Sequence, residues 1–260
     1  MTVIDESNER VIRSVKARWS CPEPQAPSPQ HIDRARIIYE EIEHLARKSG
    51  RPERLAGFEL EIALYLLGNA NAVQADNSFW QDKCRAMFTR PAIEPIVYTY
   101  WTRFTRPDFT QQAALEVVSS LSGRKLDLRE MPIIGKSESG NIAFEDLSQA
   151  RSWLTDIFEV AENPDFAPVL PAYAFVRPIM APPFPDGNGR LARFMVHASL
   201  GHMAGVTRPA VGLAPVFYCH ANRLASAMQA LSAGKDWSRF YTTFFDVLEN
   251  AAYIARSYLR

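Results

Sequence analysis

The stretch most suited to chemistry lies between residues 182 and 193, where small, acidic and basic residues follow one another closely. It reads Pro-Pro-Phe-Pro-Asp-Gly-Asn-Gly-Arg-Leu-Ala-Arg. Gly187 and Gly189 allow positive φ and a close approach of the backbone to a ligand. The N–H groups at the start of the helix predicted to follow, together with its dipole, favour negative charge at this point. The pattern therefore predicts a phosphate cradle.

Three charged side chains border this loop. Arg190 and Arg193 are three residues apart, which places their forked donors on one face of the predicted helix, where they can bind further phosphate oxygens. Asp186 offers an oxygen ligand for the Mg²⁺ that accompanies a nucleoside triphosphate. The five residues Pro-Asp-Gly-Asn-Gly are also typical of an ordinary turn, which is the favoured interpretation when they are taken alone.

The twelve residues together are more specific. They resemble the signature of the Fic (Fido) family, His-Pro-Phe-x-Asp/Glu-Gly-Asn-Gly-Arg-x-x-Arg, at every defined position except the first. Members typically transfer AMP from ATP to a Ser, Thr or Tyr hydroxyl of a target protein, with the histidine as general base. The resemblance implies Mg²⁺ at Asp186 and ATP phosphates at the other signature residues, which are Gly187, Asn188, Gly189, Arg190 and Arg193.

The position of the family's histidine is occupied by Pro182. A pyrrolidine ring has no ionisable nitrogen, so Pro182 cannot take a proton from an attacking hydroxyl. Loss of a positioned general base typically removes ~10²–10⁴ in rate. The first hypothesis is therefore a degenerate Fic protein that binds a nucleotide or a target but transfers AMP inefficiently.

Two alternatives stay open. One is a working nucleotidyl- or phosphotransferase that takes its base from His197, His220 or the target itself, or whose chemistry starts from a phosphate that needs no deprotonation. The other is a non-catalytic protein-interaction module whose arginines make structural salt bridges. His197 lies one turn beyond Arg193 on the predicted helix, and a core or surface histidine is the favoured interpretation of it.

The composition is that of a globular protein and argues against several function classes. Of the 260 residues 47% are hydrophobic, and 29 Lys plus Arg balance 29 Asp plus Glu. This balance gives no electrostatic footprint for nucleic acid or for a membrane surface. The first twenty residues lack the apolar region of a signal peptide. Cys21, Cys84 and Cys219 are scattered and are expected to be reduced thiols, so the expected compartment is the cytoplasm, with export as an effector by another route left open.

The elements that must position the loop are predicted to be helical, so the predicted fold class is all-α. Hydrophobic periodicity and capping residues indicate helices at 32–46, 53–68, 107–122, 145–163, 166–180, 188–204, 217–231 and 236–254. Residues 21–29 hold four prolines and are either a linker or an extended strap. Pro178, inside the helix that leads into the loop, removes a backbone donor and bends the helix, at a cost of about 3 kcal/mol unless the bend is built in.

One short hairpin interrupts the helical pattern before the loop. Apolar residues of 131–144 lie on either side of Ser139-Gly140-Asn141, a turn typical of β-hairpins. Fic domains carry such a flap over the active site, where strand addition is thought to hold the backbone of the target. The resemblance makes Ile142, Ala143 and Phe144 the flap residues of this chain.

Many Fic proteins also share an inhibitory helix of pattern Ser/Thr-x-x-x-Glu-Gly/Asn, whose glutamate pairs with the last signature arginine. Residues 63–69 lie in a suitable place, with Leu67 where the glutamate would be. Only the Gly-Asn end of the pattern matches, and an ordinary core helix with a glycine C-cap fits at least as well. If the alignment holds, this chain lacks both the base and the inhibitory acid.

The chain is expected to divide into an extended, proline-rich lead-in at 1–30, an N-terminal helical region at 31–107 and a Fic core at 108–260. The partners implied by the resemblance are ATP or another nucleotide, with Mg²⁺, and a target protein. Neither nucleic acid nor a membrane is expected as a partner. The identity of the target, the preferred nucleotide and the presence of a homo-oligomer stay open.

Overall fold

The computed structural model describes residues 2–3, 15–49, 109–137, 140–144, 146–206 and 209–259. The helix predicted at 53–68, and with it Leu67, lies outside these residues. The described elements are β1 (Thr2–Val3), β2 (Val15–Arg18), α1 (Pro29–Ser49), α2 (Gln111–Ser122), β3 (Ile133–Ser137), β4 (Gly140–Phe144), α3 (Leu147–Glu162), a 3₁₀ turn (Ala167–Val169), α4 (Leu170–Met180), α5 (Asn188–Met203), α6 (Leu213–Cys219), α7 (Ala221–Gly234) and α8 (Trp237–Tyr258). Helices dominate, which confirms the all-α class.

Two consecutive helices, α4 and α5, form the centre of the core. Every residue of α4 except Ile179 is buried, including Arg177, whose guanidinium is paired with Asp156 of α3. Helix α5 packs against α4 and is buried along most of its length. The signature loop, residues 182–187, connects these two helices, so it lies at one end of the most deeply buried part of the described chain.

The prolines before the signature loop occupy positions where they remove few hydrogen bonds. Pro168 lies in the 3₁₀ turn and Pro171 in the first turn of α4, where a backbone donor has no intrahelical partner. Pro178 is inside α4, as predicted, but in its last turn. Because the helix ends two residues later, the missing N–H interrupts α4 only at its end.

Helix α8 supplies an aromatic wall against the centre of the core. Trp237, Phe240, Phe244 and Phe245 are fully buried, and the Phe244 ring lies 5.6 Å from that of Phe175 on α4. The N-terminus of α8 is capped by Asp236, whose side chain accepts from a backbone N–H of the first turn. On the other side, α1 packs against α8 and shares the same hydrophobic core. No helix in the described ranges is long and apolar enough to cross a membrane.

The proline-rich segment is a strap rather than a free linker. The indole N–H of Trp237 donates to the carbonyl of Glu23 at 2.6 Å, and the hydroxyl of Tyr241 donates to the carbonyl of Gln25 at 3.0 Å. In these two bonds, side chains of α8 hold main-chain carbonyls of the strap, so the side chains of Glu23 and Gln25 are not involved. The last proline, Pro29, belongs to α1 instead, because its fixed φ and missing N–H suit a first helical residue.

The predicted hairpin exists as β3 and β4, but it is part of a larger sheet of order β1-β3-β4-β2. Strand β1 pairs antiparallel with β3, and β2 pairs parallel with β4. The expectation of an isolated hairpin was therefore incomplete. The two N-terminal strands are short. Residues 15–19, Val-Lys-Ala-Arg-Trp, do alternate between apolar and polar, but five residues are a weak signal for a strand.

The helix predicted at 217–231 is wrong in its bounds. Two helices, α6 and α7, cover this region and meet at His220. Pro215, which the sequence placed in a loop, lies in the first turn of α6, where the missing N–H costs no intrahelical hydrogen bond. The remaining described helices agree with the predicted ones to within a few residues at each end.

The aromatic wall gives a direct test of the core. Phe244→Ala is expected to lower the free energy of unfolding by about 3–5 kcal/mol, because it leaves a cavity at a side chain with no exposed surface. Tyr253→Ala is the matched control on the same helix, since Tyr253 is 64% exposed, and it should change stability by less than about 0.5 kcal/mol. Urea unfolding monitored by circular dichroism measures both. Equal losses would show that Phe244 is not part of the core.

Candidate functional site

The signature loop turns into α5 through a left-handed residue. Gly187 has φ 84° and is the N-cap of α5, as its predicted positive φ requires. A side chain here would lie 2.7 Å from Cγ1 of Val118 and 2.9 Å from Oγ of Ser122, both on α2. Gly189 differs from the prediction, because it belongs to α5 and does not have positive φ. Within the described ranges, a Cβ at Gly189 would meet the guanidinium of Arg193 alone, at 3.7 Å.

The side chain of Asn188 closes the loop from inside. Its amide nitrogen donates to the carbonyl of Phe184 at 2.7 Å, and its amide oxygen accepts from the Phe184 N–H at 3.1 Å. Asn188 is 6% exposed and Phe184 is completely buried. The Asn188 side chain is therefore used within the chain, and only its backbone N–H is left for an anion.

Backbone donors at the start of α5 face outward. The N–H groups of Arg190 and Leu191 donate to the carbonyl of Gly187, both at 2.9 Å. Those of Asn188 and Gly189 have no acceptor within the described part of the chain. As far as the described residues show, two N–H groups are thus available at the positive end of the helix.

Asp186 forms an ion pair at the edge of the loop. Its Oδ2 lies 2.8 Å from Nη2 of Arg124, and its Oδ1 accepts from the N–H of Gly187 at 2.7 Å. Partial burial raises the pKa of this carboxyl, but the Gly187 hydrogen bond and the charges of Arg190 and Arg124 outweigh it, so the pKa lies below its ordinary value. Asp186 is therefore ionised at neutral pH, with its side chain 44% exposed.

The ionised carboxylate suits a hard cation in its donor chemistry. No group of three or more His, Cys, Asp or Glu side chains that could hold a metal exists among the described residues. Asp186 would therefore act as a single protein ligand. That arrangement fits Mg²⁺, which is commonly held by one or two carboxylates together with the phosphates of a nucleotide.

The two signature arginines extend to different neighbours. Nη1 of Arg190 donates to the hydroxyl of Ser122, at the end of α2, at 2.6 Å. Nη2 of Arg193 lies 3.3 Å from the hydroxyl of Tyr218 on α6, and its guanidinium carbon is 5.1 Å from the centre of the Tyr218 ring. The sequence placed both arginines on one face of α5 but gave no signal for Ser122 or Tyr218 as their partners.

A buried arginine ties the loop to the flap. Nε of Arg129 donates to the carbonyl of Pro182 at 2.6 Å, and its backbone N–H donates to the carbonyl of Pro183 at 2.9 Å. The same guanidinium donates to the carbonyls of Phe144 at 2.7 Å and Asp146 at 2.8 Å. Arg129 is 5% exposed, and burial lowers its pKa. These bonds fix the end of β4 next to Pro182.

The flap residues proposed from the sequence lie in β4. Ile142 and Phe144 are buried in a small cluster with Ile133 of β3, and Trp19 packs against this cluster. The backbone of Ala143 faces β2, since its carbonyl accepts from the N–H of Trp19 at 2.9 Å. The hairpin that would form the flap is therefore present, and this chain's own N-terminal segment pairs with the free side of β4.

Neither His197 nor His220, the two histidines considered as substitute bases, has a free side chain exposed at the signature loop. His197 is 3% exposed inside α5, so an incoming hydroxyl cannot reach it. Nε2 of His220 lies 2.7 Å from the side-chain amide of Asn250, between α6 and α8. Burial, followed by the charge of Arg223, lowers the pKa of His220. Its Nε2 is engaged with Asn250.

Comparison with known proteins reveals a similarity of fold. Neither protein-family models nor curated proteins match this sequence. Among solved structures, the chain is similar to the crystal structure of a Fic family protein from Desulfovibrio desulfuricans G20, with a TM-score of 0.63 over 91% of this chain and 77% of the other. The chain has a Fic-like fold. At 13% sequence identity the similarity is one of fold, and the Fic-like arrangement confirms that part of the resemblance.

Alanine substitutions at two glycines near the start of α5 are expected to have opposite effects on stability. Gly187→Ala should lower the free energy of unfolding by about 2–4 kcal/mol, because it combines a left-handed backbone with overlap on Val118 and Ser122. Gly189→Ala, two residues away, should leave stability unchanged or raise it by up to ~1 kcal/mol, because alanine favours a helix. Urea unfolding measures both variants. A harmless Gly187→Ala would contradict the left-handed turn.

The ion pair of Asp186 predicts a pH dependence. A carboxyl with a lowered folded-state pKa stabilises the protein above its unfolded pKa, near ~3.9, and loses that contribution as pH falls through the folded value. The stability difference between the native chain and Asp186→Asn should therefore shrink as pH falls below about 4. Asp165→Asn, at an exposed loop carboxyl, is the control. A difference for Asp186→Asn that stays constant from neutral pH down to acid would refute the assignment.

Proposed function

We propose that the chain binds a nucleoside triphosphate with Mg²⁺ at the signature loop and transfers AMP poorly, because Pro182 stands where a general base is needed. The observation that carries the proposal is the pair of outward N–H groups of Asn188 and Gly189, at the start of a long buried helix. Such a helix end favours an anion through both its donors and its dipole. Among the described residues, the side-chain group near a Cβ placed at Gly189 is the guanidinium of Arg193, at 3.7 Å, which is itself a phosphate donor.

Two cationic side chains support an anion of several charges. Arg190 and Arg193 flank the same helix start, and among their contacts each donates to a hydroxyl group, of Ser122 and Tyr218 respectively. Hydrogen bonds from a guanidinium to phosphate are charge-assisted and roughly twice as strong as bonds between neutral groups. A phosphate at this helix start would therefore be a stronger acceptor for these guanidinium groups than either hydroxyl.

Asp186 is the residue that would hold the metal. A bound Mg²⁺ would supply positive charge against the phosphates of the nucleotide. One oxygen of Asp186 is fixed by the Gly187 N–H, and the other is paired with Arg124, whose side chain is 60% exposed. An exposed arginine can leave at little cost, because exposed ion pairs contribute only ~0–1 kcal/mol.

Pro182 limits what the site can do with a bound nucleotide. Its ring has no proton acceptor, and its carbonyl is already bonded to the Arg129 guanidinium. A target hydroxyl at this position would find no proton acceptor in the side chain of Pro182. Loss of that step is expected to reduce transfer by ~10²–10⁴ relative to a site with a positioned base.

A second candidate is a protein-interaction module that binds no nucleotide. The pairing of Asp186 with Arg124 favours it, since this ion pair satisfies the carboxylate within the chain. The hydrogen bonds of Arg190 to Ser122 and of Arg193 to Tyr218 also favour this candidate. In this candidate the loop is a structural joint between α4 and α5, and the flap is the active surface.

The proposed partner besides the nucleotide is a protein, and the proposed compartment is the cytoplasm. Two cysteines among the described residues, Cys21 and Cys219, are free thiols, as is usual in a reducing compartment. Burial raises the pKa of Cys21 to about 12, so this thiol is inert at neutral pH.

Calorimetry with Mg-ATP separates the two candidates. The native chain should bind Mg-ATP, and Arg193→Ala should weaken binding by at least about tenfold, because a charge-assisted bond contributes ~1.5–3 kcal/mol. Arg47→Ala, at an exposed side chain of α1, is the matched control and should leave affinity unchanged. Absence of binding in a folded native chain would leave only the interaction module.

Transfer of labelled AMP to proteins of a lysate then tests the role of Pro182. The native chain should transfer little, and Pro182→His should raise transfer by ~10²-fold or more. Melting of the variant should be checked in parallel, since Pro182 is buried. Strong transfer by the native chain would overturn the proposed impairment, whereas no gain in a folded Pro182→His that binds Mg-ATP would show that more than the base is missing.

A further inference from the structure

The end of α2 forms one side of the signature loop. Oγ of Ser122 lies 2.9 Å from where a Cβ of Gly187 would be, and the same hydroxyl accepts from Arg190. Gly123 then ends α2 with a left-handed residue, and the N–H groups of Gly123 and Arg124 donate to carbonyls of the last turn. The backbone of Arg124 is therefore fixed next to the loop. A cation just beyond the last turn of a helix is also favoured by the helix dipole.

The guanidinium of Arg124 pairs with Asp186 through a small part of its donor set. Its Nη2 donates to Oδ2 of Asp186 at 2.8 Å. A guanidinium has several N–H donors in a planar fork, and among the described residues the other side-chain donors of Arg124 have no acceptor. The side chain is 60% exposed, so these donors are accessible from solvent. Arg124 can therefore hold Asp186 with one edge of its guanidinium and an anion with another.

Asp186 needs a counter-cation if a phosphate is to approach the start of α5. Its Oδ1 accepts from the N–H of Gly187, the N-cap of that helix, so the carboxylate lies at the helix start. A carboxylate is ionised at neutral pH, and like charges close together repel strongly where the protein lowers the effective dielectric. A cation on Oδ2 of Asp186 removes this repulsion. Arg124 supplies that cation from the chain itself, and Mg²⁺ would supply it from solution.

We propose that Arg124 and Mg²⁺ are alternative counter-cations for Asp186, so that the loop binds a nucleoside triphosphate with or without the metal. When Mg²⁺ binds at Asp186, the exposed Arg124 is displaced. Without the metal, Arg124 stays on Asp186 and donates to the phosphates with its remaining N–H groups. Arg124 is thus a nucleotide-binding residue that lies outside the signature. The inference rests on the proposed function of the loop, and Mg-ATP binding by the native chain tests that function separately.

Calorimetry with ATP in EDTA and with Mg-ATP, both at 0.15 M salt, tests this inference. The native chain should bind the two forms with dissociation constants within about tenfold of each other, because charge-assisted bonds from Arg124 replace those of the metal. Arg124→Ala should weaken binding of metal-free ATP at least about tenfold more than binding of Mg-ATP. The reason is that Asp186 then lacks a counter-cation only when the metal is absent.

Lys125→Ala is the matched control, since it removes the same charge at the next residue, which is also exposed. Salt screens charges that make no direct contact, so this variant should change either affinity by less than about threefold. Circular dichroism and melting should show that Arg124→Ala and Lys125→Ala fold like the native chain. Arg124→Lys keeps a cation beside Asp186 and should retain most of the metal-free binding.

Removal of the charge on Asp186 gives a second readout. Asp186→Asn needs no counter-cation, so it should bind metal-free ATP at least as tightly as the native chain does, and Mg²⁺ should change its affinity little. The effect of Arg124→Ala on metal-free binding should be smaller in Asp186→Asn than in the native chain, because the two residues act as a pair.

The outcomes separate this inference from the proposed function. Binding of Mg-ATP but not of metal-free ATP by the native chain would overturn the inference and leave the proposed function intact. Equal effects of Arg124→Ala and Lys125→Ala on metal-free binding would also overturn it, as would an effect of Arg124→Ala that is the same with and without Asp186→Asn. Absence of binding of both forms by the folded native chain would overturn the inference and the proposed function together.

Discussion

The left-handed turn at Gly187 is the constraint on which the arrangement of the site depends. It reverses the chain between the two most buried helices, α4 and α5, and it does so against Val118 and Ser122 of α2, where no side chain fits. The turn thereby sets where α5 begins and which N–H groups point outward. The candidate anion site is a consequence of how the core is packed.

Polar side chains in and around the loop form hydrogen bonds to main-chain groups of the chain itself. Asn188 uses both ends of its amide on Phe184, and Arg129 uses its guanidinium on carbonyls of the loop and the flap. Buried groups of this kind are costly to leave unpaired, so they hold the loop in one shape. A loop fixed in this way keeps its outward N–H groups whether or not a base stands at Pro182.

The sheet joins the site to the N-terminal region of the chain. Strand β4 is bound to the loop through Arg129 on one side and to residues 15–19 on the other. Strap and strand are held largely by main-chain hydrogen bonds, which depend little on side-chain identity. These bonds make the proline-rich lead-in an ordered part of a helical protein.

The sequence alone determined the elements whose signals are local. Periodicity predicted most described helices and the class of the fold, the turn residues predicted the hairpin, and the glycine-rich signature located the loop and the Fic-like resemblance. Tertiary structure decided what depends on distant partners. The pairing of Asp186 with Arg124, the bond from Arg129 to Pro182 and the parallel pairing of β2 with β4 join residues far apart in the chain. No local pattern encodes them, because hydrogen bonds and ion pairs of this kind form only once packing has brought their partners together.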